Sequence, residues 1–127
     1  MSRLLVVDDE ANIRLLYSEE LQDEGYEVVT AASSAEAIEK LQSGAFDLAV
    51  LDIKLKNESG IELLQKLVKE RHDMPVILCS AFSCYKDDFS AWLADGYVVK
   101  SGDLTELKQE IVRVLAKKAS KLKAGAK

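Results

Sequence analysis

Short runs of apolar residues, each followed by a polar side chain, recur along the chain and set its predicted architecture. The runs show no alternation of apolar and polar positions, which indicates strands of a parallel sheet that are buried on both faces. Four runs end in side chains that can carry chemistry: residues 4–7 precede Asp8 and Asp9, 48–51 precede Asp52, 76–79 precede Ser80, and 97–99 precede Lys100.

Segments with helical spacing alternate with the strands. The first helix is predicted over residues 11–24, with Ile13, Leu16, Tyr17 and Leu21 on its apolar face. Gly25 follows as a suitable stop, because glycine accepts the backbone conformation that ends a helix.

The rest of the chain repeats this alternation. After a second strand over residues 26–30, Ser33 and Glu36 have the spacing of a capping box, which predicts the start of a second helix. The remaining predicted segments are a polar loop over 53–59, helices beginning at Gly60, at about 85 and after Asp103, and a fraying end from residue 117.

Five strands alternating with five helices predict an α/β fold, because right-handed crossovers place helices on both faces of a parallel sheet. The architecture expected is a (βα)5 doubly wound three-layer sandwich. Acidic residues end the first and third strands, which suggests that these strands are adjacent and that the sheet has the flavodoxin-like order 2-1-3-4-5.

Composition limits the possible functions. The 127 residues fit one domain, and we expect it to span 1–119 with a basic tail over 120–127. A formal charge of −5 argues against general nucleic-acid binding, although residues 108–127 hold seven basic side chains and one acidic one. No apolar run is long enough for a membrane span and the N-terminus does not resemble a signal peptide, so we expect a cytoplasmic protein without membrane partners.

The polar residues at the strand ends predict one small site. Ligands bind beyond the carboxyl ends of the strands in an open parallel sheet, where three carboxylates, a hydroxyl and an ammonium would meet. Close carboxylates repel one another, and a hard cation such as Mg²⁺ relieves that repulsion. Asp8 or Asp9 with Asp52, and a backbone carbonyl from the segment that includes Lys54, would suit Mg²⁺ better than Ca²⁺ or Zn²⁺.

The same residues suit phosphoryl transfer. A carboxylate such as Asp52 can act as a nucleophile and form an acyl phosphate. The cation and Lys100 would neutralise the phosphoryl oxygens, and Ser80 would donate a hydrogen bond to one of them. Each residue alone has a plainer interpretation as a helix cap, a turn or a surface charge, but their joint occurrence at four strand ends favours a site.

These residues resemble the receiver domain of two-component response regulators. The similarity covers residues 3 to about 119 and rests on four motifs: the segment 6–10 with its acidic pair, Asp52 eight residues before Gly60, Ser80-Ala81, and Tyr97 three residues before Lys100. The resemblance implies a stand-alone signalling domain, and not a conventional enzyme.

The family assigns a role to each matching position. Asp52 would accept a phosphoryl group from a sensor histidine kinase or a histidine phosphotransfer protein. Asp8 and Asp9 would bind magnesium with Asp9 as the closer ligand, and Lys100 would contact the phosphate. Ser80 and Tyr97 would form a switch that changes the face made by the fourth helix, fifth strand and fifth helix, where a downstream protein would bind.

Two pairs of positions concern the fine behaviour of the site. Lys54 and Phe82 match family positions that flank the pocket and tune the slow hydrolysis of the aspartyl phosphate. Lys56 and Ser101 stand where receivers usually have prolines. In receivers, the proline that follows the lysine usually lies in a cis peptide bond, and a cis bond before any other residue costs about 2.5–4 kcal/mol. We therefore expect the loop after Lys100 to depart from the usual shape.

Two alternatives differ from a phosphorylated receiver. A phosphatase similar to haloacid-dehalogenase-like enzymes would need a second aspartate two residues after the nucleophile, where this chain has Lys54. The other is a receiver-like interaction module that works without phosphorylation, which Lys56 and Ser101 favour and the complete set of strand-end residues opposes.

Overall fold

A five-stranded parallel sheet forms the centre of the molecule. The computed structural model describes residues 2–52, 54–55, 58–70, 74–80, 94–99 and 104–125. The sheet strands are β1 (Arg3–Val7), β2 (Glu27–Ala31), β3 (Leu48–Asp52), β6 (Val76–Ser80) and β7 (Gly96–Val99); the short strands β4 (Lys54–Leu55) and β5 (Glu58–Ser59) pair separately. The helices are α1 (Ala11–Asp23), α2 (Ser34–Ser43), α3 (Gly60–Glu70) and α4 (Thr105–Gly125).

The strand order confirms the predicted topology. The large sheet has the order β2-β1-β3-β6-β7, which is 2-1-3-4-5 when only its own strands are counted, and every pair in it is parallel. This is the flavodoxin-like doubly wound arrangement. The predicted helix over residues 85–94 lies almost wholly outside the described residues.

Two predictions about irregular segments were wrong. Within the polar loop expected over 53–59, β4 and β5 form a two-residue antiparallel ladder, since backbone pairing over so short a stretch leaves no apolar pattern. The end expected to fray from residue 117 continues α4 to Gly125, because alanine and lysine are strong helix formers. A division between domain and tail at residue 119 stays a prediction.

Alternating strand residues supply two apolar layers, one on each face of the sheet. Val7, Leu51 and Leu78 pack on the side of α2 and α3. Val6 and Val50 pack on the opposite side, against residues of α1 and α4. Asp8 and Asp52 continue this second row of positions at the carboxyl ends of β1 and β3, because side chains two residues apart point to the same face.

Both ends of the β2 region are fixed by local hydrogen bonds. The Gly25 and Tyr26 amides donate to the carbonyls of Gln22 and Leu21 at 2.9 and 3.2 Å, a Schellman motif with Gly25 at a φ of 96°. After β2, Ser33 Oγ accepts from the Glu36 amide at 3.2 Å. Both the predicted helix stop and the predicted cap are therefore present.

One residue of the predicted apolar face of α1 is not in the core. Tyr17 and Leu21 are buried and Ile13 packs partly against the same cluster, but the Leu16 side chain is 37% exposed. Leu16 lies at the margin of the buried stripe, and helical spacing alone does not define where a neighbouring helix stops covering it.

None of the described helices combines the length and apolarity needed to cross a bilayer.

Candidate functional site

Three carboxylates meet at the carboxyl ends of β1 and β3. Val7 and Leu51 are partners in the parallel register, so Asp8 and Asp52, the next residues in each strand direction, stand side by side. Ligand oxygens of Asp8, Asp9 and Asp52 all lie within 4.8 Å of one another. The structure thus brings together the three acidic residues that the strand pattern singled out.

Two of these carboxylates are almost inaccessible. Asp8 is 2% exposed and Asp52 is 5% exposed, and they are the only buried polar or charged residues among the described side chains. Asp9 is intermediate in exposure and is the most accessible residue of the cluster. Burying carboxylates so close together is unfavourable unless a cation or hydrogen-bond donors compensate their charge.

The donor set suits magnesium. Carboxylate oxygens are the ligands that Mg²⁺ takes from proteins, which usually supply one or two and leave other positions to water and phosphate. Asp8, Asp9 and Asp52 provide such oxygens within 4.8 Å of one another, and Asp9 is partly exposed. The residues present therefore fit the predicted cation.

Hydrogen bonds hold the loop that carries Asp8 and Asp9. The Asp8 amide donates to the Ala31 carbonyl at 3.1 Å, which ties the end of β1 to β2. Asp8 Oδ1 accepts from the Glu10 amide at 2.9 Å. Arg14 Nη1 donates to the Asp8 carbonyl at 2.8 Å. Sequence reasoning missed Arg14, because a bond to a backbone carbonyl leaves no signature in the pattern of residue types.

Tyr17 and Cys79 are buried close to the carboxylates. Cys79 is buried and is the register partner of Asp52 in β6, and Tyr17 of α1 is 3% exposed in the same apolar cluster. Burial raises the pKa of the Tyr17 hydroxyl above its usual value, and the nearby Cys79, Asp8 and Asp52 raise it further. Sequence analysis placed Tyr17 on the core face but did not connect it with the site.

Ser80 and Tyr97, the two predicted switch residues, lie on neighbouring strands of the sheet. Ser80 is the last residue of β6 and directly follows the partner of Asp52, so its backbone is at the same edge of the sheet. Tyr97 pairs with Leu78 in the register of β7, and its partly buried side chain packs against the core cluster on the α2 and α3 side.

Of the other predicted positions, only Lys54 lies among the described residues. The backbone of Lys54 lies in β4. Phe82, Lys100, Lys56 and Ser101 lie outside the described residues. Their predicted contributions stay predictions.

Comparison with known proteins identifies what the fold and acidic cluster resemble. The family model of the response regulator receiver domain matches residues 4–112. The response regulator ArlR of Staphylococcus aureus is 31% identical over 123 residues, which are 95% of this chain and 56% of ArlR. The chain therefore spans about half the length of the curated relatives that it matches.

Three solved response-regulator structures match this chain over nearly their full length. The response regulator TrrA of Thermotoga maritima, in complex with Mg²⁺-BeF, is 48% identical with a TM-score of 0.86, covering 90% of this chain and 99% of TrrA. TrrA has also been solved in complex with the histidine kinase ThkA, with a TM-score of 0.85. A CheY-like receiver from Methanospirillum hungatei is 32% identical with a TM-score of 0.89, covering 95% of this chain and 98% of that one.

Proposed function

This chain belongs to the response regulator receiver family, and we propose that Asp52 is the residue on which it accepts a phosphoryl group. The observation that carries the assignment is the meeting of Asp8, Asp9 and Asp52 within 4.8 Å, with Asp52 buried at the end of β3. Asp52 is the central strand-end carboxylate of the sheet, since β3 lies between β1 and β6.

Asp8, Asp9 and Asp52, with the backbone carbonyl of Lys54, would hold the magnesium ion. When bound, Mg²⁺ would supply positive charge against the phosphoryl oxygens and against the three carboxylates. The relative TrrA was solved with Mg²⁺-BeF, which supports this proposal. Asp9 is the most exposed of the three carboxylates, so its side chain would be the first that an entering cation meets.

The transfer is a displacement at phosphorus. One carboxylate oxygen of Asp52 would bond to phosphorus while the bond from phosphorus to the donor histidine nitrogen breaks, leaving the electron pair on that nitrogen. Lys100 would balance the negative charge of the acyl phosphate, and Ser80 would donate a hydrogen bond to a phosphoryl oxygen. In the later hydrolysis, water would take the phosphoryl group as inorganic phosphate while the bond from phosphorus to the Asp52 oxygen breaks and restores the carboxylate, and Lys54 and Phe82 would tune this step.

The donor we propose is a sensor histidine kinase, or a histidine phosphotransfer protein. The relative TrrA, 49% identical over 91% of this chain, was solved in complex with the histidine kinase ThkA. The output would be contact with a downstream protein through the fourth predicted helix, β7 and α4, controlled by Ser80 and Tyr97. A cytoplasmic location agrees with a kinase donor of this kind.

Intact-mass analysis after incubation with Mg²⁺ and acetyl phosphate tests the proposal. We expect one phosphate adduct on the wild-type chain, no adduct when Mg²⁺ is chelated, and no adduct on Asp52→Asn. Asp23→Asn is the matched control, because Asp23 is an exposed carboxylate at the end of α1.

The outcomes separate the two candidate functions. An adduct on Asp52→Asn equal to that of the wild type would contradict the assignment of Asp52. Absence of both an adduct and Mg²⁺ binding in the wild-type chain would favour the interaction module that works without phosphorylation.

A further inference from the structure

Arg14 connects the first turns of α1 to the loop that carries the acidic pair. Its Nη1 atom donates to the Asp8 carbonyl at 2.8 Å, and its backbone amide donates to the Glu10 carbonyl at 3.1 Å. The Glu10 amide in turn donates to Asp8 Oδ1 at 2.9 Å. The peptide carbonyl and the carboxylate of Asp8 are thus each held by a different donor.

We propose that Arg14 is a positioning residue for the metal site, fixing the Asp8 peptide so that Asp8 and Asp9 present their carboxylates to the cation. The inference rests on the proposed function, because it assumes that Mg²⁺ binds at Asp8, Asp9 and Asp52. It adds a residue that touches neither the cation nor the phosphoryl group.

The physical basis is preorganisation of a short loop. A hydrogen bond from a guanidinium to a carbonyl is charge-assisted and stronger than a neutral one, so it restricts rotation of the Asp8 peptide. Since Asp9 is joined to that peptide, the same bond limits the directions in which the Asp9 side chain can point. Residues that orient metal ligands typically contribute about 10–100-fold to metal affinity.

The positive charge of Arg14 has the opposite effect. A guanidinium close to the site repels an entering cation, so its removal would strengthen Mg²⁺ binding if charge were its only influence. Loss of positioning would weaken binding instead. The direction of the change in Mg²⁺ affinity therefore distinguishes a positioning residue from a bystander charge.

Arg113 provides a matched control on the opposite part of the chain. Its Nη2 atom donates to the Asp95 carbonyl at 2.9 Å, which is the same type of bond that Arg14 makes with Asp8. Arg113 lies on α4 and is exposed, and Asp95 precedes β7 at the amino end of that strand, away from the carboxylates. Arg113→Gln thus removes an equivalent bond, together with the ion pair from Arg113 Nε to Glu110, without touching the site.

The experiment is a calorimetric titration with MgCl₂ of wild type, Arg14→Gln, Arg14→Lys and Arg113→Gln. We expect the Kd for Mg²⁺ to rise by about tenfold in Arg14→Gln, at the lower end of the usual range because Arg14 acts through the backbone. Arg14→Lys keeps the charge but loses the planar fork of donors, so its Kd for Mg²⁺ should lie between those of the wild type and Arg14→Gln. Arg113→Gln should bind Mg²⁺ as the wild type does.

Phosphorylation by acetyl phosphate gives a second readout. Because the reacting groups are intact, the rate for Arg14→Gln should fall at low Mg²⁺ and recover at saturating Mg²⁺. Urea unfolding without Mg²⁺ identifies a variant that fails to fold. If Arg14→Gln does not fold, the Kd of Arg14→Lys for Mg²⁺, compared with that of the wild type, tests the positioning role instead.

Two results would overturn the inference in distinguishable ways. Equal or tighter Mg²⁺ binding by folded Arg14→Gln and Arg14→Lys would overturn the positioning role alone. Absence of Mg²⁺ binding by the wild-type chain would overturn the proposed metal site, and this inference with it.

Discussion

Val7 and Leu51 are partners in the parallel register of β1 and β3, and this pairing places Asp8 and Asp52 side by side. The two residues are far apart in sequence, and the strand register brings them together. With Asp9, they form a cluster in which mutual repulsion opposes folding, and a bound cation would relieve that repulsion. The proposed metal site therefore predicts that stability and Mg²⁺ binding are linked.

The first prediction concerns this linkage. Mg²⁺ at 100 times its Kd should raise the free energy of unfolding by about 2.7 kcal/mol, since it binds only the folded chain. Asp9→Asn should unfold no more easily than wild type in EDTA, because one repelling charge is removed, and should lose most of the gain from Mg²⁺. Urea unfolding of both proteins with and without Mg²⁺ measures this, with Asp23→Asn as the control. A full Mg²⁺ gain in Asp9→Asn would contradict the site.

Tyr17 gives the second prediction, which concerns high pH. Burial and nearby negative groups raise the pKa of Tyr17 above 10.0, so the folded state keeps its proton after the unfolded chain has lost it. By linkage, the contribution of Tyr17 to stability is complete below pH 10 and declines as the pH rises towards the folded pKa. The slope attributable to this group approaches about 1.4 kcal/mol per pH unit.

Urea unfolding between pH 8 and 11 tests this sign, with the pH values chosen to bracket the usual tyrosine pKa of about 10. The free energy of unfolding of wild type should fall more steeply above pH 10 than that of Tyr17→Phe. Tyr26→Phe is the comparison: burial and the nearby Glu24 also raise the pKa of Tyr26, but its side chain is only partly buried, so this variant should flatten the curve less than Tyr17→Phe does. Parallel curves for wild type and Tyr17→Phe would show that the hydroxyl is not in the surroundings described.

Gly25 gives the third prediction. Its φ of 96° ends α1 in a region that residues with a Cβ rarely adopt, although no atom lies within 4 Å of an added Cβ. Gly25→Ala should therefore destabilise the fold by about 1–2 kcal/mol through backbone strain alone. Gly25→Asn should cost less, because asparagine tolerates positive φ better than alanine. Thermal and urea unfolding of the two variants would contradict this account if alanine were the better tolerated.

The fourth prediction compares two leucines on one helix. Leu21 is fully buried, whereas the Leu15 side chain is 60% exposed. Leu21→Ala should lower the free energy of unfolding by about 2–5 kcal/mol, because it leaves a cavity in the core. Leu15→Ala should change it by less than about 0.5 kcal/mol. Similar losses of unfolding free energy in both variants would mean that α1 does not pack with Leu21 in the core and Leu15 exposed.

Much of the fold could be predicted because the buried strands are marked by uninterrupted apolar runs. The bounds of β3 follow directly from the apolar run before Asp52, and the acidic ends of β1 and β3 suggested that these strands are neighbours. The cluster of Asp8, Asp9 and Asp52 followed from the same reasoning, since parallel strands end at one edge of the sheet.

Other features depend on contacts that residue types do not encode. Arg14 reaches a backbone carbonyl, and any residue at position 8 would offer the same acceptor. Leu16 fits the helical spacing of the core face, but its exposure depends on how far neighbouring elements extend over α1. The ladder of β4 and β5 forms through backbone groups, which the side-chain pattern does not mark.

Locating the phosphoryl group on the chain is the sharpest test of Asp52 as its acceptor. Borohydride reduces an aspartyl phosphate to homoserine, and tandem mass spectrometry then identifies the modified position after incubation with Mg²⁺ and acetyl phosphate. We expect homoserine at position 52 alone, and none when Mg²⁺ is chelated. Homoserine at position 8 or 9, with Asp52 unmodified, would contradict it.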